Sequence, residues 1–162
     1  MNKRILKVGL ASLAAATLIG CGGVNASAVS HSRSSITINQ RHCKEDAQKL
    51  YQYLITNTKL NRNAAVGVCA VAIQQTGMDV NNHQHGLYGI LSWKNKPIPM
   101  NGNRKMSKFA QQELYLKDTI NPKLVDELNS QKDSVNAAKV FAREYCHLKH
   151  NVDWEKYVTE IN

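Results

Sequence analysis

The chain has 162 residues, four cysteines and a formal charge of +9. That length supports one domain with a single core and excludes a multidomain assembly. The positive balance favours contact with anionic polymers such as teichoic acids, lipid head groups or nucleic acid. No segment carries the dense Lys/Arg helix face of a nucleic-acid binder, so no nucleic-acid partner is expected.

The N-terminus reads as an export signal over residues 1–28. MNKRILK is a basic start, and VGLASLAAATLIG is an apolar run of 13 residues, too short to span a bilayer as a stable helix. Leu18-Ile19-Gly20-Cys21 fits a bacterial lipobox, with Cys21 lipidated and anchored to the membrane. Ala26-Ser27-Ala28 fits an ordinary small-x-small cleavage site. The lipobox directly abuts the apolar run, which favours a lipoprotein over a released chain. Both readings put the domain outside the cytoplasmic membrane, on its outer face, in the wall or secreted. Removing the leader takes away Lys3, Arg4 and Lys7, so the exported part carries about +6.

Residues 29–41 are Ser-rich and without periodicity, and read as a flexible tether to a domain over 42–162. A first helix is expected over about Lys44 to Asn57, where Ala47, Leu50, Tyr51, Leu54 and Ile55 recur at helical spacing. Asn61 or Asn63 can cap the next helix. Ala64 to Ile73 is apolar on every side apart from Gly67, and a helix apolar all round must be buried all round. Gln74, Gln75 and Thr76 end that run, and Gly77 offers a left-handed C-cap. A polar loop, Asp79 to His85, leads into GLYGILSW (86–93), suited to a tight turn or minimal hairpin.

Lys94 to Asn103 holds two prolines and a glycine and reads as an exposed loop. With Arg104, Lys105 and Lys108 it forms the local basic cluster. Ser107 can cap a helix to about Lys117 with Phe109, Ala110 and Leu114 inward. Asn121-Pro122 opens a short helix with Leu124, Val125 and Leu128 on one side. Ser134 is expected to cap a helix striped by Ala138, Phe141, Ala142, Tyr145 and Cys146. Asp153 is expected to cap a last turn carrying Trp154, Tyr157, Val158 and Ile161. The fold class is therefore all-α with minimal strand content: one small domain of five or six helices around a buried central one.

NAAVGVCAVAIQQTGMDVN followed by GLYGILSW resembles the phage tail lysozyme domain, in which a buried helix ending in Glu-Ser-Gly precedes a Gly-Tyr-Gly-(Ile/Leu)-x-Gln-Trp segment. FAQQELYLKDTI and SVNAAKVFAREY resemble the later helices of that family, and the likeness runs from about Ala47 to Cys146. It implies a lysozyme-like fold that engages peptidoglycan or another anionic cell-wall polymer. Gln75 stands where the family carries its catalytic Glu, and Ser92 stands where it carries the Gln before Trp.

Glycan hydrolysis needs a carboxylic acid to protonate the leaving oxygen, a contribution of about 10²–10⁴-fold in rate. Gln75 cannot donate that proton at neutral pH. Substitutes are Asp79, one turn further along, and Glu113 or Glu45 if the helices bring them close. Tyr88, Gly89, Ser92 and Trp93 are the candidate binding residues; the two rings can stack on sugar faces or pack on the central helix. Two readings follow: a lysozyme-like domain with impaired cleavage, or a non-enzymatic surface module that blocks a phage component or lytic enzyme.

No cofactor or metal site is legible. His83 and His85 flank one residue and His147 and His150 are three apart, without H-E-x-x-H or C-x-x-C. A Cys69 nucleophile is disfavoured, because an apolar helix suppresses the thiolate. Cys43, Cys69 and Cys146 permit one disulfide, with Cys69–Cys146 favoured, or none if they serve as buried hydrophobes.

Overall fold

The computed structural model describes residues 32–98, 106–149 and 151–161, with side chains from His42 onward. Six helices are present among them: α1 (Ser32–Asn57), α2 (Arg62–Thr76), α3 (Lys108–Thr119), α4 (Pro122–Asn129), α5 (Ser134–Glu144) and α6 (Trp154–Thr159). Between α2 and α3 lie two short strands, β1 (His83–Gln84) and β2 (Leu87–Tyr88). The expected all-α class with minimal strand content is what the chain adopts. The leader, the lipobox and Cys21 lie outside the described residues. Among those residues no helix is long and apolar enough to cross a membrane.

All ten residues from Ala64 to Ile73 are buried, as an all-apolar helix demands. The Asn61 side chain accepts from the Ala64 amide at 2.9 Å, and Gly77 at φ 61° closes the other end with its N–H on the Ile73 carbonyl at 2.8 Å. Helices α1, α4, α5 and α6 all pack on α2. The closest approach is to α5. A methyl group on Gly67 would lie 2.7 Å from the Ala138 nitrogen and 2.8 Å from the Ala137 Cβ. Gly67 and two alanines therefore let the two backbones touch. Asn129, at the end of α4, ties down the α1–α2 connection by accepting from the Asn61 amide (2.7 Å) and donating to the Lys59 carbonyl (2.8 Å).

Four expectations are corrected. Helix α1 begins at Ser32, twelve residues before Lys44, so the tether expected over 29–41 is helical backbone from Ser32 on. Extending a nucleated helix costs little, even through polar residues. On α3 the buried positions are Gln112, Glu113 and Leu116, while Phe109, Ala110 and Leu114 are only half-buried. The cap of α5 is Asp133, whose carboxylate accepts from the Asn136 amide at 2.8 Å, one residue ahead of Ser134. Asp153 occupies the N-cap position of α6 without a side-chain capping bond.

The favoured Cys69–Cys146 bridge is also absent: both are free thiols. Cys69 faces α1, its Sγ 3.6 Å from the Ala47 carbonyl, and burial pushes its pKa up. Burial likewise pushes Cys146 up to about 12. These cysteines act as small apolar side chains.

Gly67→Ala should destabilise the domain. The gain in helix propensity, up to about 1 kcal/mol, is smaller than an overpacking cost of about 1–3 kcal/mol or more where backbone blocks relief. Chemical denaturation should show a lower midpoint than wild type; an unchanged or higher midpoint would show that α2 and α5 can separate without cost.

Candidate functional site

Beyond Gly77 the chain makes a polar loop and then a two-residue hairpin, His83 pairing with Tyr88 and Gln84 with Leu87. The central residues of its turn, His85 (φ 53°) and Gly86 (φ 75°), both have positive φ, as a type I′ turn requires. Tyr88 then pairs with Trp93, and their mutual backbone bonds of 2.8 and 2.9 Å enclose Gly89 to Ser92 as a second turn. Ile90 and Leu91, at its tip, are driven into the core.

Ile90 is held from two helices at once. Its carbonyl accepts from the Thr76 hydroxyl at 3.0 Å, on the last turn of α2. Its N–H donates to Gln112 Oε1 of α3 at 2.9 Å. The amide of Gln112 also donates to the Val80 carbonyl at 2.8 Å, so a single buried side chain joins α3 to both sides of the hairpin. Gly89, at φ 66°, leaves room for it: a Cβ there would lie 2.5 Å from Gln112 Oε1. This glycine makes way for Gln112 from within.

Sequence reasoning did not single out Gln112. Its signal was its register: Gln112 stands four residues before core Leu116, on the same helical face, where an apolar residue is the default.

Between the hairpin and α3 lies an open groove of about 590 Å³. Asn81, Asn82, His83 and Tyr88 line one side, Lys108, Gln111 and Gln112 the other, and exposed Lys96 and buried Pro97 complete the lining. Among the described residues, none that lines it is acidic. The His83 and Tyr88 rings stack at 4.4 Å and 14°. Lys108 donates to the Asn81 side-chain carbonyl at 2.7 Å, bracing the groove across its width.

Of the predicted binding residues, Tyr88 and Gly89 line this groove. Trp93 is engaged elsewhere. Its ring meets Tyr115 edge-on at 5.2 Å, and its indole N–H donates to the Tyr145 hydroxyl at 3.1 Å. Tyr145 stacks on Phe141 and hydrogen-bonds Thr119 at 2.5 Å; burial, opposed by those hydrogen bonds, lifts its pKa to about 12. Ser92 takes a left-handed conformation (φ 50°) at the end of the second turn.

Gln75 sits half-buried on the last turn of α2, outside the lining of this groove. Beside it, Gln74 Oε1 is buried without a hydrogen-bond partner among the described residues. Asp79 is exposed and bonds its own loop, accepting from the Asn81 amide at 2.8 Å. Glu45 is exposed on α1, 3.8 Å from His42.

Glu113 differs from these. It is 9% exposed, lies near Asp46 and Lys49 of α1, and has no hydrogen bond or ion pair among the described residues. Burial raises its pKa from 4.5 to about 7; Lys49 opposes the shift and Asp46 adds to it. Among the described residues, no group of three or more His, Cys, Asp or Glu side chains converges as a metal site.

A buried helix that ends beside a glycine- and aromatic-rich hairpin, with a later helix closing a groove, is the arrangement that the sequence resemblance implied. The family model for phage tail lysozyme matches residues 45–157. The chain belongs to the phage tail lysozyme family. The match takes in every helix from the packed part of α1 to most of α6, beyond the 47–146 stretch in which the likeness is visible by eye. No curated protein and no solved structure matches the chain. In this phage tail lysozyme domain the groove is shaped by an amide clamp and carries basic and aromatic groups.

Two outcomes test this geometry. Gln112→Leu strands the Ile90 N–H and the Val80 carbonyl, at about 1–3 kcal/mol for each buried unsatisfied group. Hydrogen exchange should then accelerate at the Ile90 amide, with wild-type protection there counting against the clamp.

The second concerns pH. The native state favours neutral Glu113, so its stabilising contribution is full below about 4.5 and is lost as pH rises through about 7. The titratable groups around it are Asp46, Lys49 and Tyr53 of α1, Cys69 of α2 and, near Tyr53, Asp118. Melting temperatures measured from pH 5 to 8 should fall for wild type relative to Glu113→Gln. Parallel curves would place the carboxylate in solvent.

Proposed function

We propose that this domain is exported, lipid-anchored through Cys21, and engages peptidoglycan at the cell surface with its glycan-cleaving chemistry impaired. The feature that carries the reading is Gln75: membership of the phage tail lysozyme family supports the fold and the wall ligand, and by resemblance of sequence a carboxamide stands at the end of the central helix where the family carries its acid. The amide resembles a carboxylate in size and can hold a ligand by hydrogen bonds. It cannot protonate a leaving oxygen, which removes a contribution of about 10²–10⁴-fold.

Neither acidic neighbour replaces it well. The Asp79 carboxylate serves its own loop, and Glu113 is buried near Asp46 and Lys49 of α1, outside the groove lining. A groove whose described lining holds no carboxylate also favours the second reading, a surface module that binds without cutting.

Cell-wall binding and glycan release, measured side by side, separate the possibilities. Wild type should bind sacculi and release little glycan. Gln75→Glu should gain weak lytic activity, because partial burial raises the pKa of a new carboxyl towards the working pH. Robust wild-type lysis that survives Gln75→Ala but disappears in Glu113→Gln or Asp79→Asn would move the acid to those residues. If neither form binds the wall, the second reading holds.

A further inference from the structure

We propose that the groove between the hairpin and α3 is an oxyanion site. It takes a phosphate or carboxylate group carried on a ring of a wall polymer, with Lys96 and Lys108 supplying the charge and the His83–Tyr88 stack the platform. The ligand's source rests on the wall-binding reading above; the chemistry of the site does not.

A hydrogen-bond inventory of the lining carries the argument. Four carboxamides face the groove, and three of them have one N–H already committed within the protein. Gln112 gives its N–H to the Val80 carbonyl, Gln111 to the Met106 carbonyl (2.9 Å) and Asn82 to the Gly89 carbonyl (3.4 Å). The Asn81 oxygen is taken by Lys108, which leaves the Asn81 amide N–H₂ open beside that cation. An ammonium has three donors, so Lys108 keeps two after meeting Asn81.

Lys96 is an exposed part of the lining. The nearest acid in sequence, Asp79, is committed to the Asn81 backbone and lies outside the lining. Among the described lining residues, what remains for a ligand includes two cations and the Asn81 carboxamide donors, with no carboxylate to repel an anion. The Asn81 bond holds Lys108 in place, so one charge is positioned before the ligand arrives. The volume of about 590 Å³ falls within the range of small-ligand sites, about 300–1,000 Å³, enough for a sugar-sized unit. The stacked rings offer a face for such a unit.

The test uses the full chain, the double variant Lys96→Ala/Lys108→Ala, and Lys117→Ala/Lys139→Ala, which removes equal charge from exposed sites elsewhere. Each is assayed on intact sacculi, on sacculi stripped of phosphodiester polymer with hydrofluoric acid, and with inorganic polyphosphate followed by amide shifts in NMR. The groove double variant should bind intact walls roughly tenfold more weakly at low salt, and the control should bind like wild type. Binding lost with the phosphodiester polymer identifies a phosphate ligand; binding retained on stripped sacculi identifies a carboxylate of peptidoglycan.

Equal weakening in both double variants, or wild-type binding by the groove variant, overturns the site. If wild type binds neither kind of sacculus, the outcome divides. Polyphosphate shifts at Asn81, His83 and Lys108 that vanish in the groove variant keep the oxyanion site and reject the wall ligand. Their absence rejects both.

Discussion

Gly67 is the constraint on which the rest of the packing depends. A helix made of Ala, Val, Cys and Ile has little side-chain bulk, so it can fill a core only if its neighbours come close. Without a Cβ at 67, the α5 backbone at Ala137 and Ala138 approaches to contact distance. The larger residues then lie around that contact: Phe141 on α5, Leu50 and Leu54 on α1, Leu128 on α4 and Trp154 on α6 are all buried. Bulky groups at the periphery and small ones at the centre give a dense interior without a thick central helix.

From this centre the site is reached through a chain of hydrogen bonds. The last turn of α2 presents the Thr76 hydroxyl to Ile90, and Ile90 passes the restraint through its own N–H to Gln112 on α3. An isolated hairpin of two-residue strands is unstable in water. Here it is anchored by a buried isoleucine, a glutamine and a second turn closed by the Tyr88–Trp93 pair. The groove is the space left between that anchored hairpin and α3. Trp93 belongs to the anchor, and Tyr88, with His83, is the aromatic face left towards the groove.

The electrostatics divide along α3. Gln112 and Glu113 are adjacent in sequence and both buried, yet about 100° of helical turn sends them to different surroundings. The neutral amide meets two backbone groups and is fully used. The carboxyl is buried near Asp46 and Lys49 of α1, and burial raises its pKa towards neutral pH. Gln112 supports the groove, whose described lining bears only basic and neutral groups, while burial raises the pKa of Glu113.

What the sequence determined by itself is the helical core. Its pattern was one-dimensional: an uninterrupted apolar run from Ala64 to Ile73, an Asn cap, a closing Gly77, the Asn121-Pro122 start and the apolar stripe of α5. Each of these is decided by near neighbours in the chain, so each could be read from residue order, as could the family likeness in GLYGILSW. Tertiary structure alone decided which polar residues turn inward. Nothing local says that Gln112 and Glu113 face the core, that Gly89 exists to admit Gln112, that Trp93 answers to Tyr115 and Tyr145, or that Cys69 looks towards α1 and not Cys146. Those choices depend on which distant backbone groups need partners. That need arises only once the helices have met, because a buried N–H or carbonyl must be satisfied by whatever side chain packing brings within reach.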